Sequence, residues 1–348
     1  MSSSATETAA VREAVALGSG PRLPAGRAAG RAPRPHRAST YAGFDFDVVV
    51  VGAGSAGLAA ALTLGRCRRR VLVCDGGPPR NETSPAVHGF LSRDGIRPAE
   101  LLRLGREQLR PYDTVQLREL KVREIVPRNN GFRVNATTGP GGEFTATARK
   151  VLLATGVQDL LPPLPGMREL WGRGVLHCPY CHGWEVRDQP LAVYGRGRTV
   201  TDLALLVSRW SRNVLVVTDG PGHLTQNARQ RLRREGIEVK ETPLSRLIGT
   251  RSGDLKCLEF EDGTQAERVA LFLHAPQQQR TDLAQSLGAA LSSKGAVRID
   301  SKCETTVPGL YAAGDTTPGT QQALLAAAEG SKAAISLNEV LTREECPR

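Results

Sequence analysis

Val48-Val49-Val50-Val51-Gly52-Ala53-Gly54-Ser55-Ala56-Gly57 is the stretch on which the reading turns. Four β-branched residues in a row fit a strand buried on both faces, as in a parallel sheet. An Ala- and Leu-rich helix is predicted over 55–66, directly after the glycines. Gly52 permits the tight turn, Gly54 lets backbone approach a diphosphate, and Gly57 lets helix and strand pack closely. The diphosphate would then lie at the helix N-terminus beside Ser55 and Ala56, where unpaired N–H groups and the dipole favour negative charge. A second strand over 71–74 runs into Asp75 and Gly76, placing an acid where it can accept adenosine ribose hydroxyls.

Working outward, a helix is expected over 98–110, with Pro98 in its first turn where a missing N–H costs nothing. Short strands follow over 115–120, 122–126, 132–136 and 144–148, with Asn129-Asn130-Gly131 as a tight turn. A buried strand over 150–154 closes on Ala154-Thr155-Gly156. A second βαβ unit comprises a strand at 191–194, a helix at 199–210 and a strand at 214–218. A last strand at 309–312 passes through Gly314-Asp315 into a helix over 320–341. Two nucleotide-fold patterns in one chain predict an α/β protein with two Rossmann-like domains. Ala154-Thr155-Gly156 and Tyr311-Ala-Ala-Gly314-Asp315 point to FAD at the first site. There Asp315 can hold ribityl hydroxyls, and the following helix N-terminus can stabilise a negative flavin ring.

The bulk numbers are those of an ordinary globular chain, with 348 residues, 40% of them hydrophobic and 23% charged. The net charge of +11 is scattered and mostly arginine, and aromatics make up only 4%, so no nucleic-acid partner is expected. No apolar run approaches the roughly 20 residues that span a bilayer. No membrane association is expected, and a cytoplasmic location is. Residues 1–44 lack hydrophobic periodicity and are expected to be a disordered extension.

Of seven cysteines, only Cys178 and Cys181 lie close in sequence, within Cys178-Pro-Tyr-Cys181-His182. Two thiols at this spacing, at a turn or helix start, can close a small disulfide whose thiolate form is the reactive one. His182 titrates near neutrality in its ordinary state and could move the proton, and His177 and Glu185 flank the pair. A c-type haem site would need export, for which no signal is visible. A zinc site would need about four ligands, usually two such pairs, and a metal is not expected. A glutaredoxin-like fold would place the pair near the N-terminus. Dithiol–flavin exchange is the reading that remains.

With these motifs in place, residues 45–343 resemble the low-molecular-weight thioredoxin reductase family. The resemblance rests on the glycine motif, Ala154-Thr155-Gly156, the Cys178–Cys181 pair and Val307-Pro-Gly-Leu-Tyr-Ala-Ala-Gly-Asp315. It implies two three-layer ββα domains. The FAD domain, 45–158 and 275–348, would be split by an inserted pyridine-nucleotide domain, 159–274, carrying the dithiol. It also implies that Cys181 faces the flavin, that Cys178 exchanges with substrate, and that the protein is a homodimer. The family's flavin-contacting Arg-Gln-Ala stands here as Gln321-Gln322-Ala323. His182, where thioredoxin reductases carry an aspartate nearby, resembles the gliotoxin and holomycin dithiol oxidases, as do Arg80-Asn81 and His88-Gly89 near the flavin. The resemblance thus implies a small-molecule dithiol as substrate and oxygen as acceptor. The alternatives are an NAD(P)H-dependent reductase of a thioredoxin-like protein and a flavin-binding redox sensor. Gly195-Arg-Gly197-Arg-Thr-Val200 is a degenerate fingerprint, and Thr218-Asp219 offers no cation for a 2′-phosphate. The second unit therefore reads as a nucleotide fold that has lost its ligand, with NADH ahead of NADPH as the alternative.

Overall fold

The computed structural model describes residues 43–139 and 141–347; all but the last two residues of the expected disordered extension lie outside them. β1 (Phe46–Val51), β2 (Val71–Asp75) and β3 (Val115–Glu119) are parallel neighbours, with α1 (Ser55–Arg66) and α2 (Pro98–Glu107) between them in sequence. β4 (Lys121–Arg128), β5 (Gly131–Thr137) and β6 (Glu143–Leu153) form an antiparallel meander. The structure joins two expected strands, 144–148 and 150–154, into the single 11-residue β6. Its first half pairs with β5, and its second half runs parallel to β1. A buried Arg149 at the junction, paired with Glu344 and Glu345, gave the sequence the look of a break.

The chain leaves this sheet through β7 (Val157–Asp159) and enters a second one. β8 (Val175–Leu176), β9 (Leu191–Tyr194), β10 (Val214–Val217) and β11 (Glu238–Lys240) belong to it, together with α3 (Pro179–His182), α4 (Gly197–Val207) and α5 (Gln226–Arg234). Three antiparallel strands, β12 (Leu244–Gly249), β13 (Leu255–Phe260) and β14 (Gln265–Glu267), cover one face. β15 (Ala270–Leu273) completes a parallel sheet of order β11-β10-β9-β15-β8. The chain returns through β16 (Gln277–Gln279), which pairs antiparallel with β7. After α6 (Asp282–Ser286), β17 (Leu310–Ala312) joins β6, and α7 (Ala323–Glu345) ends the fold. Each parallel sheet thus carries helices on one side and antiparallel strands on the other.

Side chains alternate across a strand, and the core follows that rule. Val48 and Val50 pack with Leu64 and Leu337 on the helical face, while Val49 and Val51 pack with Ile125 and Val134 on the other. α7 crosses α1 at Gly330, where a Cβ would stand 2.0 Å from the Ala56 carbonyl oxygen. No helix among the described residues is long and apolar enough to cross a membrane.

Candidate active site

A cavity of about 720 Å³ opens where α1 begins and extends to the dithiol. Its volume falls within the roughly 300–1,000 Å³ usual for small-molecule sites. The glycine motif is built as its spacing predicts. Gly52 has φ +113°, and a Cβ there would stand 2.3 Å from the Ala154 carbonyl oxygen; at Gly57 it would stand 1.8 Å from that of Gly52. A Cβ on Gly54 would meet nothing within 4 Å, and no side chain caps α1, so its terminal N–H groups face open space. Gly52, Gly54, Ser55, Ala56, Asp75, Gly76, Arg80, Asn81, His88, Ala154, Thr155, Gly156, Asp315, Gln322 and Ala323 line the cavity together with Cys178, Cys181 and His182. Gly57 and Gly314 sit behind it as packing positions. Uncapped helix, open Gly54 and wall-lining acid fit a dinucleotide diphosphate and ribose.

Two expected cofactor contacts are tied into protein partners. Asp75 accepts from Arg106 Nη2 at 2.6 Å. Arg80 grips Asp159 with Nε and Nη2 at 2.6 and 2.7 Å, and its Nη1 reaches Asp315 at 3.0 Å and Gln321 Oε1 at 2.7 Å. Burial pushes the Asp315 carboxyl above its usual range, with the charge of Arg80 opposing. Gln277 and Gln321 exchange amide hydrogen bonds at 2.8 and 3.0 Å. Asp159 and Gln277 stand opposite each other on β7 and β16, so this cluster fastens both crossing strands to the cavity wall. Asp159 carries no recognisable motif, and sequence reasoning missed it.

At the other end of the cavity Cys178 and Cys181 are joined as a disulfide. Cys178 caps the one-turn α3, and its Sγ accepts the Cys181 N–H at 3.1 Å, a bond that favours a thiolate there. Pro179 occupies the first turn, where its missing N–H costs nothing. His182 closes the turn, and its Nε2 lies 3.0 Å from Ser84 Oγ. The expected neutral-range titration of His182 is corrected by its surroundings. Burial first, then the neighbouring His88, pull its pKa down to about 4, so the ring is uncharged at pH 7. Burial and the charge of Arg80 do the same to His177. Glu185 lies 3.6 Å from His88 Nε2.

In the second nucleotide unit several polar groups are bonded within the protein. At the start of α4, the Gly197 N–H donates to Gly222 O at 2.8 Å, so a loop carbonyl takes a donor that would face a diphosphate. Asp219 accepts the Tyr194 hydroxyl on one oxygen and the Leu244 N–H on the other. Arg196 turns back onto the carbonyls of Thr218 and Asp219. The Gly197 N–H, Asp219 and Arg196 are thus each bonded to protein partners.

Comparison with known proteins identifies the family. Residues 46–330 match the family model for pyridine nucleotide-disulphide oxidoreductases. A protein of Arthroderma benhamiae named "Probable thioredoxin reductase" is 31% identical, over 86% of this chain and 81% of its own length. Thioredoxin reductase aclD of Aspergillus oryzae is 30% identical, over 86% of this chain and 98% of its own. The crystal structure of HlmI superimposes with a TM-score of 0.80 at 36% identity, covering 86% of this chain and 93% of that one.

Proposed function

The chain belongs to the pyridine nucleotide-disulphide oxidoreductase family, an FAD-dependent enzyme group, and from that premise we propose that it is a dithiol oxidase. In this reading it closes a disulfide in a small-molecule natural product and passes the electrons to oxygen. The observation that carries the proposal is the shared cavity: the disulfide and the dinucleotide-binding glycines line one space, while at the second nucleotide unit the Gly197 N–H and the Asp219 carboxylate are engaged by protein partners. The likeness to HlmI and the Cys-x-x-Cys-His-Gly run at 178–183 support the small-molecule substrate class.

A substrate thiolate attacks Cys178 Sγ, the Cys178–Cys181 bond breaks, and Cys181 leaves as a thiolate. The second substrate thiol then attacks the mixed disulfide, freeing the closed product and leaving Cys178 reduced. The Cys181 N–H steadies charge on Cys178, and the uncharged His182 ring can take a thiol proton. FAD, when bound, supplies the two-electron acceptor that reoxidises the dithiol and delivers the electrons to oxygen. The sum is dithiol plus O2 giving disulfide plus H2O2. We assign 45–158 and 275–348 to the flavin-holding part and 159–274 to the dithiol-bearing insert, in a cytoplasmic homodimer whose mass sedimentation would check.

Anaerobic mixing tests the proposal. Dithiothreitol should bleach the visible flavin band, whereas NADPH and NADH at millimolar concentration should not. In air, peroxide should appear mole for mole with closed disulfide. Bleaching by NADPH but not by dithiol would overturn the oxidase reading in favour of reduction of a thioredoxin-like protein.

A further inference from the structure

We propose that Tyr180 and Trp184 are specificity-determining residues. They form an aromatic ledge beside the disulfide, on which a flat, unsaturated ring bearing the two substrate thiols lies. The inference rests on the dithiol-oxidase reading of the site and deepens it by naming the substrate class.

The chain is poor in aromatics, which make up 4% of it. Among the Phe, Tyr and Trp side chains of the described residues, only Tyr180 and Trp184 are exposed, at 66% and 65%. Single apolar side chains at a surface are ordinary, but large aromatics grouped together are what contact surfaces concentrate. Tyr180 lies between the two cysteines, and Trp184 follows Cys181 by three positions and Tyr180 by four. The backbone stays helical through Gly183, at φ −65° and ψ −31°, and the Gly183 N–H donates to the Pro179 carbonyl at 2.7 Å. Side chains three or four positions apart on such a turn are neighbours, with about 5–6 Å between Cβ atoms. Cys178 and Cys181 line the cavity, whereas Tyr180 and Trp184 do not. The aromatic pair thus stands outside the space assigned to FAD, on the same turn as the sulfurs.

Both rings are held before any substrate arrives. Tyr180 meets Trp210 edge-on, with 5.8 Å between centroids and 87° between planes. Trp210 in turn presses on the turn itself, since a Cβ at Gly183 would stand 2.9 Å from its indole. The Arg187 guanidinium stacks 4.0 Å from the centre of the Trp184 ring, and its Nη1 donates to the Trp184 carbonyl at 2.7 Å. One indole face is covered in this way, and the other is left to a ligand. Rings fixed in advance lose little freedom when a ligand lands on them. Two such side chains offer about 150–250 Å² each, well short of the roughly 800 Å² a side of a stable protein complex. That area suits one or two rings of a small molecule rather than a thioredoxin-like protein.

Two dithiols that close the same six-membered disulfide ring supply the experiment: 1,4-butanedithiol is a bare chain, and 1,2-benzenedimethanethiol carries a fused benzene ring. Wild-type holoenzyme should prefer the benzene compound in kcat/KM by about tenfold, the scale of one well-placed aromatic contact. Tyr180→Ala/Trp184→Ala should abolish that preference, chiefly through KM, and Tyr180→Phe/Trp184→Phe should keep most of it. A second measurement needs no turnover. The thioether 1,2-bis(methylthiomethyl)benzene, which keeps the ring and lacks thiols, should quench the tryptophan fluorescence of the wild type and leave that of Trp184→Phe unchanged. Reduced thioredoxin should not displace it. A wild type without the preference overturns the proposal, as does a preference that survives the double alanine variant or a wild type whose fluorescence ignores the thioether. Displacement by thioredoxin overturns it too, giving the ledge to a protein partner. If neither dithiol reduces the flavin, the oxidase reading falls, and the fluorescence titration alone still decides the ledge.

Discussion

Arg80 and Asp159 meet as a two-pronged ion pair, Nε to Oδ2 at 2.6 Å and Nη2 to Oδ1 at 2.7 Å. Both are largely buried, with side chains 19% and 5% exposed. The same guanidinium reaches Asp315 and Gln321 through Nη1. One side chain thus joins the cavity wall, the outgoing strand β7 and the start of α7. Removing one partner of a buried pair strands the other's charge, at a cost of about 3–5 kcal/mol.

Arg80→Met should therefore lower stability by about 3 kcal/mol and reduce the bound flavin per chain, as read by urea unfolding and the visible absorbance of purified protein. The double variant Arg80→Met/Asp159→Leu should recover much of the stability. A double variant no better than the single would contradict the ion-pair account.

The glycines of the motif should separate packing from binding. Gly57→Ala drives a Cβ to 1.8 Å from the Gly52 oxygen and should destabilise by about 3 kcal/mol or more, as overpacking of a tight backbone contact does. Gly54→Ala meets no protein atom within 4 Å. It should leave the melting temperature of the flavin-free protein within about 2 °C, equivalent to about 1 kcal/mol, yet lower FAD affinity at least about tenfold by blocking the diphosphate approach. Equal damage to the apoprotein by both changes would refute the assignment.

Cys178→Ser and Cys181→Ser should each keep flavin and fold while losing turnover with dithiol by roughly 10³-fold or more, the scale expected when an essential nucleophile is removed. Peroxide release under air measures it. Near-normal turnover in Cys181→Ser would remove the dithiol from the mechanism.

His177 and His182 give stability a pH signature. Burial leads both depressions, with Arg80 beside His177 and His88 beside His182, and both pKa values fall to about 4 from 6.5. Between those values the unfolded chain binds protons that the folded chain refuses, so stability declines as pH drops through that window and is full above about 6.5. The urea midpoint should fall between pH 7 and pH 5. His182→Asn should show a shallower fall, and an identical slope would count against the buried neutral ring.

Most of the first sheet was legible because its signals are local. A run of β-branched residues, three spaced glycines and an acid after the next strand each constrain a short piece of backbone. The dithiol was legible for the same reason. What escaped depends on residues far apart in the chain. Ser84 is an unremarkable serine until α3 folds against it, and Asp159 and Gln277 acquire a role only when β7 and β16 pair. The second nucleotide unit was read as degenerate from Val200 and Asp219. Only the structure shows the Gly197 N–H bonded to the Gly222 carbonyl and Asp219 accepting the Leu244 N–H. Arg149 misled in the opposite direction, since a charged residue inside a strand looks like an interruption until Glu344 and Glu345 meet it.

The three-way pairing of β6 sets an order of assembly. Its partners are β1, some 100 positions earlier, β5 beside it, and β17, which emerges only after the whole second sheet. On the ribosome the insert can close its own layers while the surrounding sheet waits for Leu310–Ala312, and the apolar face of α1 stays uncovered until α7 arrives. Because long-range pairing is slow and leaves sticky surface exposed, truncation or pausing between residues 280 and 310 should yield a chain with a finished interior module and an unfinished shell, the form most in need of a chaperone.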